Sequence, residues 1–158
     1  MRKKYNQNRH TWSVIFILIN TKGLIEGFGL KAKIVNDKSL KEYSTSERCF
    51  IVENYNDELV SIARARVKPG VTTITHHLKG ANEIYLIARG KGKVKIGNLP
   101  PTEVAAGDVV VIPAGVSQKI TNTGKTDLIF HCICTPRFTP ECYCNEEEEK
   151  MNSEKIFL

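Results

Sequence analysis

The sequence predicts an all-β domain that closes as a sandwich, jelly roll or barrel. Three observations carry this. From about residue 60 onward, short runs rich in Val and Ile alternate with turn signals at close spacing. No window in that stretch sustains a helical stripe. The chain has 158 residues, 41% of them hydrophobic and 25% charged, which suffices for one ordinary domain with a core of its own.

The strands are predicted at 47–53, 59–67, 71–78, 83–89, 92–97, 108–112, 117–122 and 127–135. Each is a β-branched or aromatic run cut off by residues that break a ladder. Pro69-Gly70 ends the second strand, and Lys79-Gly80-Ala81-Asn82 turns between the third and fourth. Gly90-Lys91-Gly92 separates the fourth and fifth, and Gly97-Asn98 with Pro100-Pro101 follows. Ala106-Gly107, Pro113-Ala114-Gly115 and Asn122-Thr123-Gly124 punctuate the remainder. Residues 36–46 read as a polar loop with room for one helical turn. After Pro140 the regular pattern stops, and Glu146 to Glu149 read as a solvated tail. The expected organisation is a leader or extra strand over 1–30, the barrel over 31–140 and an acidic tail over 141–158.

The leader has a basic start (Arg2, Lys3, Lys4, Arg9) and an apolar run at 12–19. It mimics a signal peptide, but no Ala-x-Ala site follows, and eight residues are too few to span a bilayer. No membrane association is expected. The net charge of +6 divides into +4 over residues 1–30, +5 over 31–144 and −3 over 145–158. Scattered basic residues without an aromatic stacking motif do not suggest nucleic acid; they suit a mildly basic surface or anionic substrates. The five cysteines (Cys49, Cys132, Cys134, Cys142 and Cys144) are an odd count, as expected for free thiols in a reducing cytoplasm.

Two half-motifs lie inside the β region. The first has Gly70, His76, Glu83 and Gly90, and the second has Gly107, Pro113, Gly115, Gln118 and Asn122. Strand side chains alternate faces, so an inward His76 shares its side with Ile74 and Leu78, while His77 points away. A hairpin between the third and fourth strands would let His76 and Glu83 meet across the ladder. One imidazole, one carboxylate and one amide could then converge at a barrel mouth.

In spacing, these half-motifs resemble the two signature motifs of the cupin superfamily, whose fold is a double-stranded β-helix, or jelly-roll barrel. The resemblance covers roughly residues 45 to 137. It implies a divalent metal held by three histidines and one glutamate. Here Leu78 and Gln118 stand at two of the histidine positions, so the candidate metal ligands are His76, Glu83 and Gln118, suited to Fe, Mn, Ni or Zn. The resemblance also implies a homodimer formed through barrel edges, which is physically reasonable because open edges invite pairing.

Arg64 and Arg66 share one face of the second predicted strand. If that face lines the barrel they form an anion-binding wall; if it faces out, Ser61, Ala63 and Ala65 are the inner layer. Arg64, Arg66 and Gln118 are accordingly the candidate ligand-binding residues. Glu83 and Tyr85 are the candidate proton-transfer residues, although Tyr85 can equally serve only to pack. Asn122 reads as a turn-holding hydrogen bonder. Cys132 and Cys134 read as core thiols rather than half of a four-thiolate zinc site.

Two functions follow. One is a small metal-dependent enzyme, an oxygenase or isomerase acting on a polar or anionic metabolite. The other is a small-molecule-binding module without metal or chemistry. Fold alone does not choose between them.

Overall fold

The computed structural model describes residues 32–156. The predicted leader, with its apolar run at 12–19, lies outside the described residues. The strands in chain order are β1 (Tyr43–Ser44), β2 (Phe50–Asn56), β3 (Ser61–Val67), β4 (His76–Leu78), β5 (Asn82–Arg89) and β6 (Lys91–Ile96). They continue with β7 (Thr102–Ala105), β8 (Val109–Ile112), β9 (Gln118–Asn122), β10 (Leu128–Thr135) and β11 (Tyr143–Asn145), and a helix, α1 (Glu146–Ile156), follows. The one helical turn in the polar loop is Asp37–Ser39, where Asn36 Oδ1 accepts from the Lys38 amide at 3.1 Å.

The strands form two antiparallel sheets, one ordered β1-β2-β3-β10-β5-β8 and the other β11-β4-β9-β6-β7. Their inner faces supply one core. Val67, Ile87, Ile112, Ile120 and Leu128 come from both sheets and are at most 1% exposed. Burial of each contributes roughly 1.5–3 kcal/mol. The step from β5 to β6 turns on Gly90, at φ +86°, where an added Cβ would lie 2.9 Å from the Asp127 carbonyl oxygen. No side chain fits there without moving backbone.

Three expectations need correction. The first concerns 71–78, where strand structure is confined to the final three residues. The Thr73 hydroxyl accepts the Ile120 amide at 3.0 Å in place of a backbone carbonyl, which interrupts the ladder beside β9. The second concerns the hairpin. β4 and β5 belong to different sheets, because Lys79-Gly80-Ala81 carries the chain from one layer to the other. His76 and Glu83 therefore face each other across the barrel interior rather than along a ladder.

The third concerns the tail. Tyr143–Asn145 pairs with β4 as an edge strand of the second sheet, and the acidic run is helical. Asn145 Oδ1 caps that helix by accepting from the amides of Glu147 and Glu148 at 3.0 and 3.1 Å. Four glutamates in the first turn complement the positive end of the helix dipole. Two of them also bind the barrel. Glu146 meets His77 at 3.0 Å and accepts from the Ser117 hydroxyl at 2.9 Å. Glu147 accepts from the Thr75 amide at 3.1 Å and pairs with Arg48 at 2.7 Å. His77 thus faces outward, as strand parity requires. No helix among the described residues is long and apolar enough to cross a membrane.

Candidate functional site

The barrel encloses a cavity of about 380 Å³. Its size lies at the lower end of the range for metabolite pockets. Most of its wall is apolar or aromatic, with Ile51, Ala65, Leu78 and Phe130 among the lining residues. His76, Glu83 and Glu47 also line it, so three ionisable groups far apart in the chain share one hollow.

Backbone register explains the convergence. His76 opens β4 and Gln118 opens β9, and the two are direct cross-strand partners. Their side chains therefore project from the same face of the second sheet. Glu83 comes from β5 in the opposite sheet, flanked in register by Cys134 and Ile112. Gln118 Nε2 reaches across and donates to Glu83 Oε2 at 2.6 Å. The Cys134 thiol lies 3.8 Å from Glu83 Oε1 and donates to it.

His76 is held by its other ring nitrogen. Nδ1 lies 2.9 Å from the Ile74 carbonyl oxygen, which can only accept, so Nδ1 carries the proton. In the neutral ring the lone pair is then on Nε2. The ring stacks on Tyr143 of β11, with centroids 4.9 Å apart and planes at 29°. The pocket is thus closed by a segment that the sequence presented as tail.

Burial dominates the electrostatics. It pushes the Glu83 carboxyl above its ordinary range, opposed by the Gln118 N–H, by His76 and by the Cys132 and Cys134 thiols. Glu47 is raised by burial as well; His76 opposes the shift and Glu83 reinforces it. The thiols are driven the same way, Cys49 to about 11 and Cys134 to about 12, chiefly by burial. At neutral pH these cysteines are protonated and poor nucleophiles. Tyr85 lines the cavity but packs on Phe130 at 4.6 Å, and burial holds its phenol well above 10. Its geometry is that of a core aromatic.

Arg64 and Arg66 do not reach the cavity. The buried members of β3 are Ser61, Ala65 and Val67, so the arginines project from the opposite face. Arg64 pairs with Asp37 at 3.3 Å, and Arg66 pairs with Glu42 and, at 3.1 Å, with Asp127. The Arg66 guanidinium also lies 4.1 Å over the Phe50 ring. The anion-binding wall is therefore corrected to an outer-face ion-pair network. Arg66→Ala is expected to cost about 1 kcal/mol in urea unfolding, from lost packing and partly exposed ion pairs. The cavity and its ligand binding should be unchanged.

The three expected metal ligands do come together, but Gln118 and Glu83 are hydrogen-bond partners of each other, and the Nδ1 of His76 is bonded to the Ile74 carbonyl. Gln118 presents its N–H to Glu83, whereas a metal ion needs an oxygen there. Both Glu83 oxygens already accept hydrogen bonds. Leu78 is 3% exposed and packs with Ala81 and Cys134. Among the described residues no group of three or more His, Cys, Asp or Glu side chains is placed to hold a metal ion, and the cysteine pairs form no four-thiolate site. This donor set does not fit a resident divalent cation.

Two contributors escaped the sequence reading. Glu47 and Tyr143 lie outside the half-motifs, in a loop before β2 and in β11. The predicted strand 47–53 included Glu47, but the observed strand begins only at Phe50.

Residues 63–134 match the family model described as a cupin domain. An uncharacterised protein of Methanocaldococcus jannaschii is 31% identical over 107 residues, covering 65% of this chain and 85% of that protein. An oxalate-binding protein of Thermotoga maritima is 41% identical over 71 residues, covering 45% of this chain and 58% of that protein. The crystal structure of a predicted oxalate decarboxylase from Thermotoga maritima superposes with a TM-score of 0.61 at 25% identity, over 66% of this chain and 99% of the other. The matched stretch runs from β3 to β10 and includes both half-motifs, with the turns and the facing His76 and Glu83 that they place. By fold, by motif and by relatedness, this chain belongs to the cupin family.

Proposed function

We propose that this protein binds a small metabolite inside the barrel without a resident metal ion. The observation that supports this best is the cavity itself: an apolar hollow of about 380 Å³ with His76, Glu47 and Glu83 gathered on its wall. Apolar walls supply affinity, and a few convergent polar groups set orientation. The Gln118 amide holds the Glu83 carboxylate in place before a ligand arrives, which lowers the ordering cost of binding.

Oxalate, for which the Thermotoga maritima relative is named, suits this pocket poorly. Its charged lining residues include three carboxyls and no Lys or Arg. A dianion would meet like charge in a partly desolvated space.

The second reading is a metal-dependent oxygenase or isomerase. The His76 Nδ1–H to carbonyl bond favours it, since a ring nitrogen fixed this way leaves Nε2 free to ligate. One experiment separates the readings. Purified protein is incubated with Fe, Mn, Ni and Zn salts, desalted and analysed for metal, and a metabolite panel is screened by thermal shift. Substoichiometric metal together with a ligand that raises the melting temperature is expected. Stoichiometric metal that His76→Ala abolishes would replace this reading with the second one. Turnover of the ligand during the assay would make the pocket an active site, with His76 and Glu83 as the groups able to move protons.

A further inference from the structure

We infer that the ligand is a small organic cation, an amine in its ammonium form or a quaternary ammonium compound. This rests on the pocket reading above and narrows it to a chemical class.

Charge is the first support. Glu47, Glu53 and Glu83 line the cavity, and among the described residues no Lys or Arg joins them. His76 is the basic lining residue, and its Nδ1 proton is committed to the Ile74 carbonyl. The chain as a whole carries +6, so the sign inside the barrel is opposite to that of the molecule. Arg48, beside Glu47 in sequence, pairs with Glu147, and Arg64 and Arg66 stand on the outer side of the β3 wall, paired there with Asp37, Glu42 and Asp127.

Aromatic faces are the second support. Tyr43, Tyr85, Phe130, Phe138 and Tyr143 all line the same space. The negative face of an aromatic ring attracts a cation, more strongly once water is excluded. An aromatic enclosure with carboxylates at its edge is a cation receptor by construction; the same enclosure repels an anion.

Hydrogen-bond inventory is the third. Gln118, bonded to Glu83 through Nε2, is 1% exposed, and its Oε1 is buried without a partner. Glu47, Glu53 and Glu83 add further acceptors on the wall. An ammonium ion brings donors and no acceptors.

The test is calorimetric titration of the full chain with ethanolamine, choline, oxalate and glucose, at constant ionic strength. One or both cations should bind, and oxalate should not. Glu83→Gln and Glu47→Gln should each weaken the cation by about tenfold or more, as expected for losing a charged partner. Each variant's melting curve is recorded first, and the two replacements on different elements guard against one failing to fold. Binding of oxalate or glucose with no binding of either cation would overturn the inference and leave the pocket reading standing. Cation binding that survives both substitutions would also overturn it, since the carboxyls would then be irrelevant. Failure of every probe, together with an empty metabolite screen, would remove the pocket reading as well.

Discussion

Asn122→Ala should destabilise the protein by about 3 kcal/mol, lowering the melting temperature by on the order of 10 °C. Asn122 is 1% exposed, yet it satisfies three backbone groups. Its Nδ2 donates to the Val67 and Thr126 carbonyls, each at 2.8 Å, and its Oδ1 accepts from the Gly124 amide at 2.8 Å. One side chain therefore ties the end of β3 to the β9–β10 turn. Alanine removes the part-buried bonds to Thr126 and Gly124 and leaves the buried Val67 carbonyl without this partner, and such desolvation costs more than the bonds themselves contribute. Asn122→Asp is the sharper variant. It keeps the acceptor for Gly124 but turns a lone pair toward two carbonyls. At neutral pH it should be at least as damaging as alanine, and it should recover partly in acid. Urea unfolding of both variants across pH checks this. A loss below about 1 kcal/mol for alanine would show that water replaces the side chain.

Glu83→Gln should act in the opposite direction on stability. Burial raises the Glu83 carboxyl above its ordinary value of 4.5 in the folded protein, against the pull of Gln118, His76 and the nearby thiols. Folding therefore favours the protonated form. Below pH 4.5 the carboxyl is protonated both folded and unfolded, so it carries no penalty. As pH rises from 4.5 through the raised folded value, the unfolded chain ionises first and the native state loses stability. Above that window the loss is constant. Glutamine has the same shape and no charge, and the Gln118 amide can reverse to bond with it. The variant should match the native protein near pH 4 and exceed it by on the order of 1 kcal/mol at pH 7. Chemical denaturation at pH 4, 5, 6 and 7 measures the divergence. A variant less stable than the native protein at pH 7 would mean that the ionised carboxylate is net stabilising, as a strong partner would make it. Stability gained at the expense of binding is the usual signature of a functional group held in an unfavourable setting.

Much of the fold was legible because its punctuation is local. Gly90 stands at a left-handed turn where only glycine fits, and the runs at 83–89, 108–112, 117–122 and 127–135 lie within a residue or two of the observed strands. What local pattern could not supply was partnership between sheets. A Gly-containing turn between two apolar runs reads as a hairpin, yet Lys79-Gly80-Ala81 passes the chain to the opposite layer, a choice made by long-range packing. β7 follows Pro100-Pro101 and is short, so its pattern is masked by turn residues. β11 is three residues of mixed polarity, and it is a strand because β4 offers it an unpaired edge.

The site was half legible for the same reason. His76, Glu83 and Gln118 were placed by motif spacing; His76 and Glu83 share one hollow, and Gln118 is buried against Glu83. Arg-Ala-Arg alternation left two faces open, and the sign of the facing came from Asp37, Glu42 and Asp127, residues remote in sequence. Glu47 opened the predicted strand 47–53 but lies in the loop before β2, and Tyr143 fell in the predicted tail, so neither was singled out. Tyr143 matters most among these, since its ring against His76 makes the terminal strand part of the pocket wall.

The central claim is that imidazole and carboxylate come from two facing sheets to line a ligand cavity, the carboxylate held by a buried amide, and are not a metal centre. A crystal structure of the protein soaked in manganese or zinc, with data collected at the metal's absorption edge, tests it most directly. The expected result is Gln118 Nε2 bonded to Glu83, His76 Nδ1 bonded to the Ile74 carbonyl, and no anomalous peak between the two sheets. An anomalous peak bound by His76 and Glu83, or side chains turned apart with the hollow filled by aliphatic packing, would contradict it.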